Sequence, residues 1–258
     1  MIPACDLWML GLRPMRPAAA GHMAPTSGAA QPLRDMGEMF PDWAARPRER
    51  LTVGLTCSLH WGAARKLLTA FHEAHPDVEL VVEDLPEGDL AETFQAHRID
   101  AAIAPGNAAQ GGWRTLPLWR ERLIAALPEA SPLARGNEVS PKDLREQTLL
   151  LAGEVSDQKA FKRAVIGALG GDPAVVMHHP VERDTLFDLV TMGVGVTVCP
   201  GASTAAVYPG VCFRPIESDQ AEIGYSLMWT QAQPREALAD FIGLAERLAR
   251  EETTHEHA

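Results

Sequence analysis

The sequence predicts an α/β protein with two lobes, and three observations support this prediction. From residue 50 onward, strand and helix signals alternate, which is the pattern of a parallel sheet covered by helices. A second, similar set of signals begins after a loop at Pro105–Gly112. The chain has 258 residues, 46% of them hydrophobic, and is long enough to bury one large core or two modest ones.

The first set of signals is a strand–helix–strand–helix–strand run. Its first helix is predicted from apolar residues at helical spacing, Leu67, Leu68 and Phe71, and from Pro76, which ends it. Such a run predicts parallel strands with right-handed crossovers. The predicted elements are Leu51–Leu55, Ala63–His75, Val78–Glu83, Leu90–Ala96 and Ile99–Ala104.

The second set begins with a strand at Leu123–Leu127 and a short helix. Ser140 and Pro141 have the N-cap and first-position chemistry of that helix, and Thr185 is the predicted N-cap of a later one. The remaining predicted strands are Leu149–Leu151, Val175–His178, Val194–Cys199, Val211–Ile216 and Ile223–Thr230, and the remaining helices are Gln158–Leu169, Thr185–Met192 and Arg235–Arg250.

The two ends of the chain differ from the body. Residues 1–49 are rich in proline and alanine, so we expect an irregular arm, either docked on the body or disordered. Residues 251–258 are predicted to be a charged tail.

Composition excludes several classes of function. With 23 basic and 34 acidic residues, the formal net charge is -11, and no basic block stands out, so we expect no direct binding of nucleic acid. The four cysteines form no metal or disulfide pattern, which favours a reduced, cytoplasmic chain without a metal or cofactor. No apolar run is long enough for a membrane span, and the weak cleavage-like sequence at Ala18–Gly21 does not amount to a secretory signal.

One stretch is a candidate ligand site. Leu51–Ser58 is an apolar strand followed by hydroxyl and thiol side chains and then a helix. The first turn of that helix would point free N–H groups into the space above the strand, where a small anion could bind. The alternative is that Thr56 or Ser58 is an ordinary N-cap.

Four segments resemble the effector-binding domain of LysR-type transcriptional regulators. They are RERLTVGLTCS, FHEAHPDVELVVEDLPEGDLAETFQAHRIDAAIA, LPLWRERLIAALPEASPLARGNEVSPKDLREQTLLLAG and ERDTLFDLVTMGVGVTVCPG, and together they cover most of 48–250. The resemblance implies two Rossmann-like lobes joined by two crossover strands, the type 2 periplasmic-binding-protein fold. It implies a first lobe of 50–112 plus 217–250, a second lobe of 113–216, and a ligand in the cleft between them.

The resemblance also implies the residues that contact the ligand. They are Thr56, Cys57 and Ser58 in the first turn, Pro86 after the second strand, Glu154 after a second-lobe strand, and Asp184 and Thr185 at a helix start. A helix N-terminus near Cys57 would lower the pKa of its thiol. Cys199 and Cys212, at apolar strand ends, are expected to be buried and inert rather than a peroxide-sensing pair.

The family also begins with a winged helix-turn-helix, which the short, proline-broken 1–49 region does not resemble. The sequence therefore predicts a non-enzymatic sensor of a small, anionic effector that lacks its own DNA-binding half. We expect it to form a homodimer, or a heterodimer with a related regulator, through the Ala63–His75 helix. Two alternatives remain: an enzyme with Cys57, His60 or Glu154 in the cleft, and an exported solute receptor.

Overall fold

The computed structural model describes residues 49–57, 59, 62–106, 112–153, 159–230 and 234–255. Residues Pro47–Ala258 form one compact unit, and the fold described below belongs to it. Ser58, His60, Glu154 and the predicted arm up to residue 48 lie outside the described residues, as do residues 256–258 of the predicted tail.

Nine strands and six helices make up the described part of the chain. The strands are β1 (Glu49–Leu55), β2 (Val78–Asp84), β3 (Ala101–Pro105), β4 (Arg114–Pro128), β5 (Thr148–Ala152), β6 (Val175–His179), β7 (Thr197–Pro200), β8 (Val211–Pro215) and β9 (Glu222–Trp229). The helices are α1 (Ala63–Ala74), α2 (Leu90–Gln95), α3 (Pro141–Arg145), α4 (Lys159–Leu169), α5 (Arg183–Thr191) and α6 (Glu236–His255). Short 3-10 turns occur at Glu87–Asp89, Pro132–Arg135 and Gly201–Ala205.

Two long strands connect the two lobes. In the first lobe β1 pairs in parallel with β2 and β3, and β3 pairs antiparallel with β9. β9 pairs antiparallel with the first half of β4, whose second half pairs with β7 and β8 in the second lobe. β5 and β6 form a separate parallel pair, joined to the rest by a bridge between Leu149 and Val196. The predicted α/β fold with two crossover strands, β4 and β9, is confirmed.

Each lobe has its own core. In the first lobe α1 buries Leu67 and Phe71 against β1, and the Phe71 ring meets the Phe241 ring of α6 edge-on at 5.2 Å. In the second lobe the buried half of β4 packs against β5, β7 and α4. Cys57 and Trp119 pack against both cores, so they lie where the lobes meet.

β4 is three times as long as the predicted strand Leu123–Leu127. It starts at Arg114, and its first half carries exposed Arg114, Pro117 and Arg120 between partly buried residues. A register shift between Pro117 and Trp119 interrupts its pairing with β9. The polar residues and this irregularity hide the strand from a search for apolar runs.

Local capping signals gave one correct prediction and two wrong ones. Ser140 caps α3 as predicted, since its hydroxyl accepts a hydrogen bond from Asp143 N at 3.1 Å. The N-cap of α5 is Glu182 rather than Thr185, because the chain is extended up to Glu182 and turns helical at Arg183. The N-cap of α1 is Gly62, so Thr56 does not cap that helix.

Candidate ligand-binding site

A cavity of about 780 Å³ lies at the carboxyl ends of the strands of both lobes. Open α/β sheets generally bind ligands at this position, and the volume is within the range of small-molecule sites. The first lobe contributes residues that follow β1, β2 and β3, and the second contributes residues from β5, β7 and the start of α5. Tyr225, on the crossover strand β9, lies between the two sets.

Four of the predicted ligand residues line this cavity. Thr56 and Cys57 follow β1, Pro86 follows β2, and Asp184 is the second residue of α5. Thr185 is exposed and is not among the lining residues of this cavity in the described chain. Ligand contact by these residues stays a prediction.

Thr56 is held by its backbone and leaves its hydroxyl unpaired. Its backbone N–H donates to Ile103 O at 3.1 Å, which fixes the turn after β1 to the neighbouring strand. Its Oγ1 is buried and has no hydrogen-bond partner within the described residues. A buried, unpaired hydroxyl costs about 1–3 kcal/mol, so a ligand that pairs with it gains affinity.

Cys57 is a neutral thiol, which corrects the expectation that a helix N-terminus activates it. The pKa of Cys57 is raised to about 12, chiefly by burial and also by the carboxylates of Glu121 and Asp84, while Arg183 acts in the opposite direction. The reason is distance along the chain: α1 begins at Ala63, and the field of a helix end acts mainly within its first turn. Cys57 therefore keeps its proton at neutral pH.

Cys199, on the second-lobe wall, is also a neutral thiol. Burial raises the pKa of Cys199 to about 12, while the Ser203 hydroxyl and Arg183 act in the opposite direction. The prediction that Cys199 is buried is confirmed.

Cys199 and Cys212 are not placed for a disulfide. Cys199 pairs with Ile124 from β7, and Cys212 pairs with Leu127 from β8, on opposite sides of β4. Strands two positions apart are separated by roughly 9.5 Å, beyond the Cα distance that a disulfide spans. The two thiols are free.

Arg183 is a lining residue that the sequence analysis missed. It is the first residue of α5, is half-buried, and forms no ion pair or hydrogen bond within the described part of the chain. Its charge acts on Cys57, Cys199 and Tyr225, three groups of the cavity wall from both lobes and the crossover strand. Arg183 is thus a partly desolvated positive charge that faces the cavity.

The acidic neighbour of Arg183 is already engaged. Tyr208 OH donates a hydrogen bond to Asp184 Oδ1 at 3.0 Å, and the Tyr208 ring lies 4.4 Å from the Phe187 ring. Burial raises the pKa of Tyr208, and Asp184 raises it further. The other charged lining residues, Arg65, Asp84 and Glu182, are exposed to water.

Much of the rest of the cavity wall is apolar. Phe161, Phe187 and Leu151 come from the second lobe, and the buried Tyr225 comes from β9. Burial raises the pKa of Tyr225 well above its usual range, so its ring is neutral. The arrangement can hold a molecule with an apolar body and a negatively charged group.

Among the described residues, no group of three or more His, Cys, Asp and Glu side chains could hold a metal ion. None of the helices described is both long and apolar enough to cross a membrane.

Two α/β lobes, two crossover strands and a cavity at the carboxyl ends of the strands are features of the type 2 periplasmic-binding-protein fold. The sequence model of the LysR substrate-binding domain family matches residues 44–250. This chain belongs to that family.

Comparisons with individual proteins agree with the family. The chain is 26% identical over 170 residues to the transcriptional regulator XapR of Escherichia coli K12, which covers 65% of this chain and 57% of XapR. It is 26% identical over 205 residues to the transcriptional activator HcaR of the same organism, covering 78% of this chain and 68% of HcaR. The chain thus spans little more than half of XapR and about two thirds of HcaR.

Solved structures show the same fold. A BenM effector-binding domain with its effector benzoate superimposes with a TM-score of 0.68 at 17% identity, covering 80% of this chain and 94% of that one. Full-length CbnR in complex with its target DNA has a TM-score of 0.68 at 17% identity, covering 86% and 81%.

Proposed function

We propose that this chain is the small-molecule-sensing domain of a LysR-type transcriptional regulator and catalyses no reaction. A small anionic metabolite enters the cavity and contacts both lobes. It shifts the equilibrium between lobe arrangements by its different affinity for them, and a protein partner receives that change. A cytoplasmic location is part of the proposal, because the free thiols Cys57, Cys199 and Cys212 fit a reducing compartment.

The observation that carries the proposal is the half-buried residue Arg183, whose guanidinium has no ion pair or hydrogen bond among the described residues. Partly removing a charge from water without a partner is costly, and an anionic ligand would supply the missing partner. Arginine also binds carboxylates with two parallel hydrogen bonds. Thr56 Oγ1, buried and unpaired among the described residues, supports a second polar contact from the first lobe.

The absence of catalysis is supported by the state of Cys57, a candidate nucleophile. A thiol with a pKa of about 12 is almost entirely protonated at neutral pH, and the thiolate is the reactive form. No base is seen to hydrogen-bond the Cys57 thiol among the residues described.

A thermal-shift panel tests the proposal. Small carboxylates, including benzoate, the effector of the BenM domain, are compared with the corresponding carboxamides. We expect at least one carboxylate to raise the melting temperature, because ligand binding to the folded state stabilises it, and its carboxamide to act more weakly.

Two variants make the panel specific. Arg183→Gln removes the charge and is expected to abolish the stabilisation by the carboxylate. Arg50→Gln removes an exposed arginine that pairs with Glu79 far from the cavity, and is expected to leave it unchanged. A panel without any stabilising carboxylate, or an equal shift in Arg183→Gln, would contradict the proposal.

We also propose that the protein forms a side-by-side dimer through α1 of one copy and the second lobe of the other. The strands beside these elements, β2 and β6, are the outer strands of their sheets, and outer strands offer unpaired backbone groups. Val82 on β2 and Val175 and Met177 on β6 are exposed apolar residues. The exposed positions of α1 are mostly polar, so these three residues provide the apolar part of the surface.

The mass of the protein in solution tests the dimer. We expect a dimer by sedimentation equilibrium, and dissociation to monomers in Val175→Asp/Met177→Asp. Met192→Asp is the control, since Met192 is exposed after α5 rather than on β6. A monomeric wild-type protein, or a double variant that stays dimeric, would exclude this interface.

A further inference from the structure

Glu121 lies on the crossover strand β4, where it ties that strand to the second lobe. It is half-buried, and each of its carboxylate oxygens accepts one hydrogen bond. Oε1 accepts from Trp119 Nε1 at 3.0 Å, and Oε2 accepts from Ala202 N at 3.3 Å. Ala202 belongs to the 3-10 turn that follows β7, so one carboxylate joins the crossover strand to a second-lobe turn.

Trp119, the donor to Glu121, connects both cores with the cavity. Its side chain packs against the buried cluster of each lobe. Its ring stacks on Tyr225, its pairing partner on β9, with 5.5 Å between ring centres and an angle of 28°. Because Tyr225 lines the cavity, a cavity ligand is separated from the Trp119 indole by a single ring.

The first lobe approaches the same carboxylate at the start of α1. Gly62, the N-cap of α1, has φ +99°, a conformation that favours glycine. A methyl group at Gly62 would lie 3.6 Å from Ala202 Cβ and 3.8 Å from Glu121 Oε1. The start of α1, Glu121 and the 3-10 turn of the second lobe therefore meet at one point.

We propose that Glu121 is a positioning residue that sets the separation of the two lobes. We call Trp119, Glu121 and Ala202 the hinge brace. Because Gly62 of the first lobe lies against both Ala202 and Glu121, the position in which the brace holds the 3-10 turn sets how closely the lobes approach there, and a hydrogen bond weakens steeply with poor distance or angle. The brace thus favours one separation of the lobes. This inference rests on the proposed function in one respect, namely that ligand binding would change that separation.

The separation of the lobes in ligand-free protein is the test. Spin labels are attached to p-acetylphenylalanine at Glu92 on α2 and at Val207 in the second lobe, both exposed positions, so that no cysteine is needed. Labelled chains are diluted with unlabelled ones, and the distance between labels is measured by double electron–electron resonance. In Glu121→Gln one acceptor oxygen becomes a donor NH₂, so the side chain can no longer accept from both N–H groups. We expect a shifted mean distance and a broader distribution.

Two further variants give the test its controls. Glu222→Gln changes a carboxylate on the other crossover strand, which pairs with Arg120 at 3.2 Å, and should leave the distribution unchanged. Trp119→Phe keeps a ring against Tyr225 but removes the indole donor, and should broaden the distribution as Glu121→Gln does. If Glu121→Gln fails to fold, Trp119→Phe tests the brace in its place.

An unchanged distribution in the folded Glu121→Gln and Trp119→Phe proteins would overturn the brace, as would an equal change in Glu222→Gln. A residue that only stabilises the fold would lower the melting temperature and leave the distance unchanged. Because no ligand is used, a failed carboxylate panel would refute the proposed function without affecting this result.

Discussion

The Tyr208 hydroxyl donates a hydrogen bond to Asp184 Oδ1 at 3.0 Å. This bond distinguishes Asp184 from its neighbour Arg183 at the start of α5. Asp184 is engaged by a side chain of its own lobe, whereas the adjacent Arg183 has no partner within the described residues. The cavity therefore presents a guanidinium that no described carboxylate pairs with, although three acidic residues also line it.

The first prediction concerns the tyrosines, of which the sequence has two, Tyr208 and Tyr225. Burial raises the pKa of both, and Asp184 adds to the shift at Tyr208 alone. In Asp184→Asn we expect the pKa of Tyr208 to fall toward its usual value of about 10, but not to reach it, while that of Tyr225 stays where it is. Alkaline titration followed by tyrosinate absorbance measures both.

The same shifts predict how stability depends on pH. An unfolded tyrosine loses its proton near pH 10, whereas both folded tyrosines hold theirs more tightly. Their contribution to stability is therefore complete below about pH 10 and is lost as the pH rises beyond it. Equal shifts of both tyrosines in Asp184→Asn would contradict the assignment of the hydrogen bond.

The second prediction concerns the cavity thiols. With a pKa of about 12 for Cys57 and Cys199, against an ordinary 9.0, the thiolate fraction falls roughly a thousandfold at neutral pH. We expect peptide mapping by mass spectrometry to show almost no alkylation of either residue in native protein, and rapid alkylation of both in urea. Fast labelling of native Cys57 would restore the activated-thiol interpretation.

The third prediction compares two glycines. A methyl group at Gly195 would overlap the Thr148 carbonyl oxygen and lie 2.9 Å from Leu150 Cδ2, whereas one at Gly224 would meet nothing within 4 Å. Gly195→Ala should cost roughly 1–3 kcal/mol of unfolding free energy or more, because it pushes β5 away from Val196. Gly224→Ala should be tolerated. Urea denaturation decides, and equal stability of the two variants would contradict the packing.

The fourth prediction concerns Asp100, which joins three elements. Its Oδ2 accepts from Thr52 N at 2.8 Å and its Oδ1 accepts from Arg235. The Asp100 side chain is 15% exposed and that of Arg235 is 54% exposed. Asp100→Ala should therefore cost about 2 kcal/mol, because it leaves a buried N–H unpaired, and Arg235→Ala less than about 1 kcal/mol. A larger loss in Arg235→Ala, measured by urea denaturation, would reverse this ranking.

The sequence predicted elements whose signals are local. Ser140 before Pro141 identified the start of α3, and the spacing of Leu67, Leu68 and Phe71 identified α1. The length of β4 could not be predicted, because its two halves pair with different strands and only the second half is an apolar run.

The cavity wall was predicted only in part. Thr56 and Cys57 follow a predicted strand, so their position at its carboxyl end could be inferred. Arg183 was missed because neither apolar spacing nor capping chemistry marks it, and two of the groups that its charge acts on, Cys57 and Tyr225, are distant from it in sequence. The one available signal was an arginine beside an acidic residue at a predicted helix start. Thr185 was predicted as the N-cap of α5 because threonine is a frequent N-cap, whereas the cap is Glu182.

The central claim is that Arg183 binds an anionic effector. It is tested most directly by isothermal titration calorimetry, with two ligands and two protein variants forming a thermodynamic cycle. The carboxylate that gives the largest thermal shift and its carboxamide are each titrated into wild-type protein and Arg183→Gln. We predict that wild-type protein prefers the carboxylate by about 2 kcal/mol, roughly thirtyfold in Kd, because a charged hydrogen-bonded pair is lost with the amide. We predict that this preference disappears in Arg183→Gln. The full preference persisting in Arg183→Gln would contradict the account.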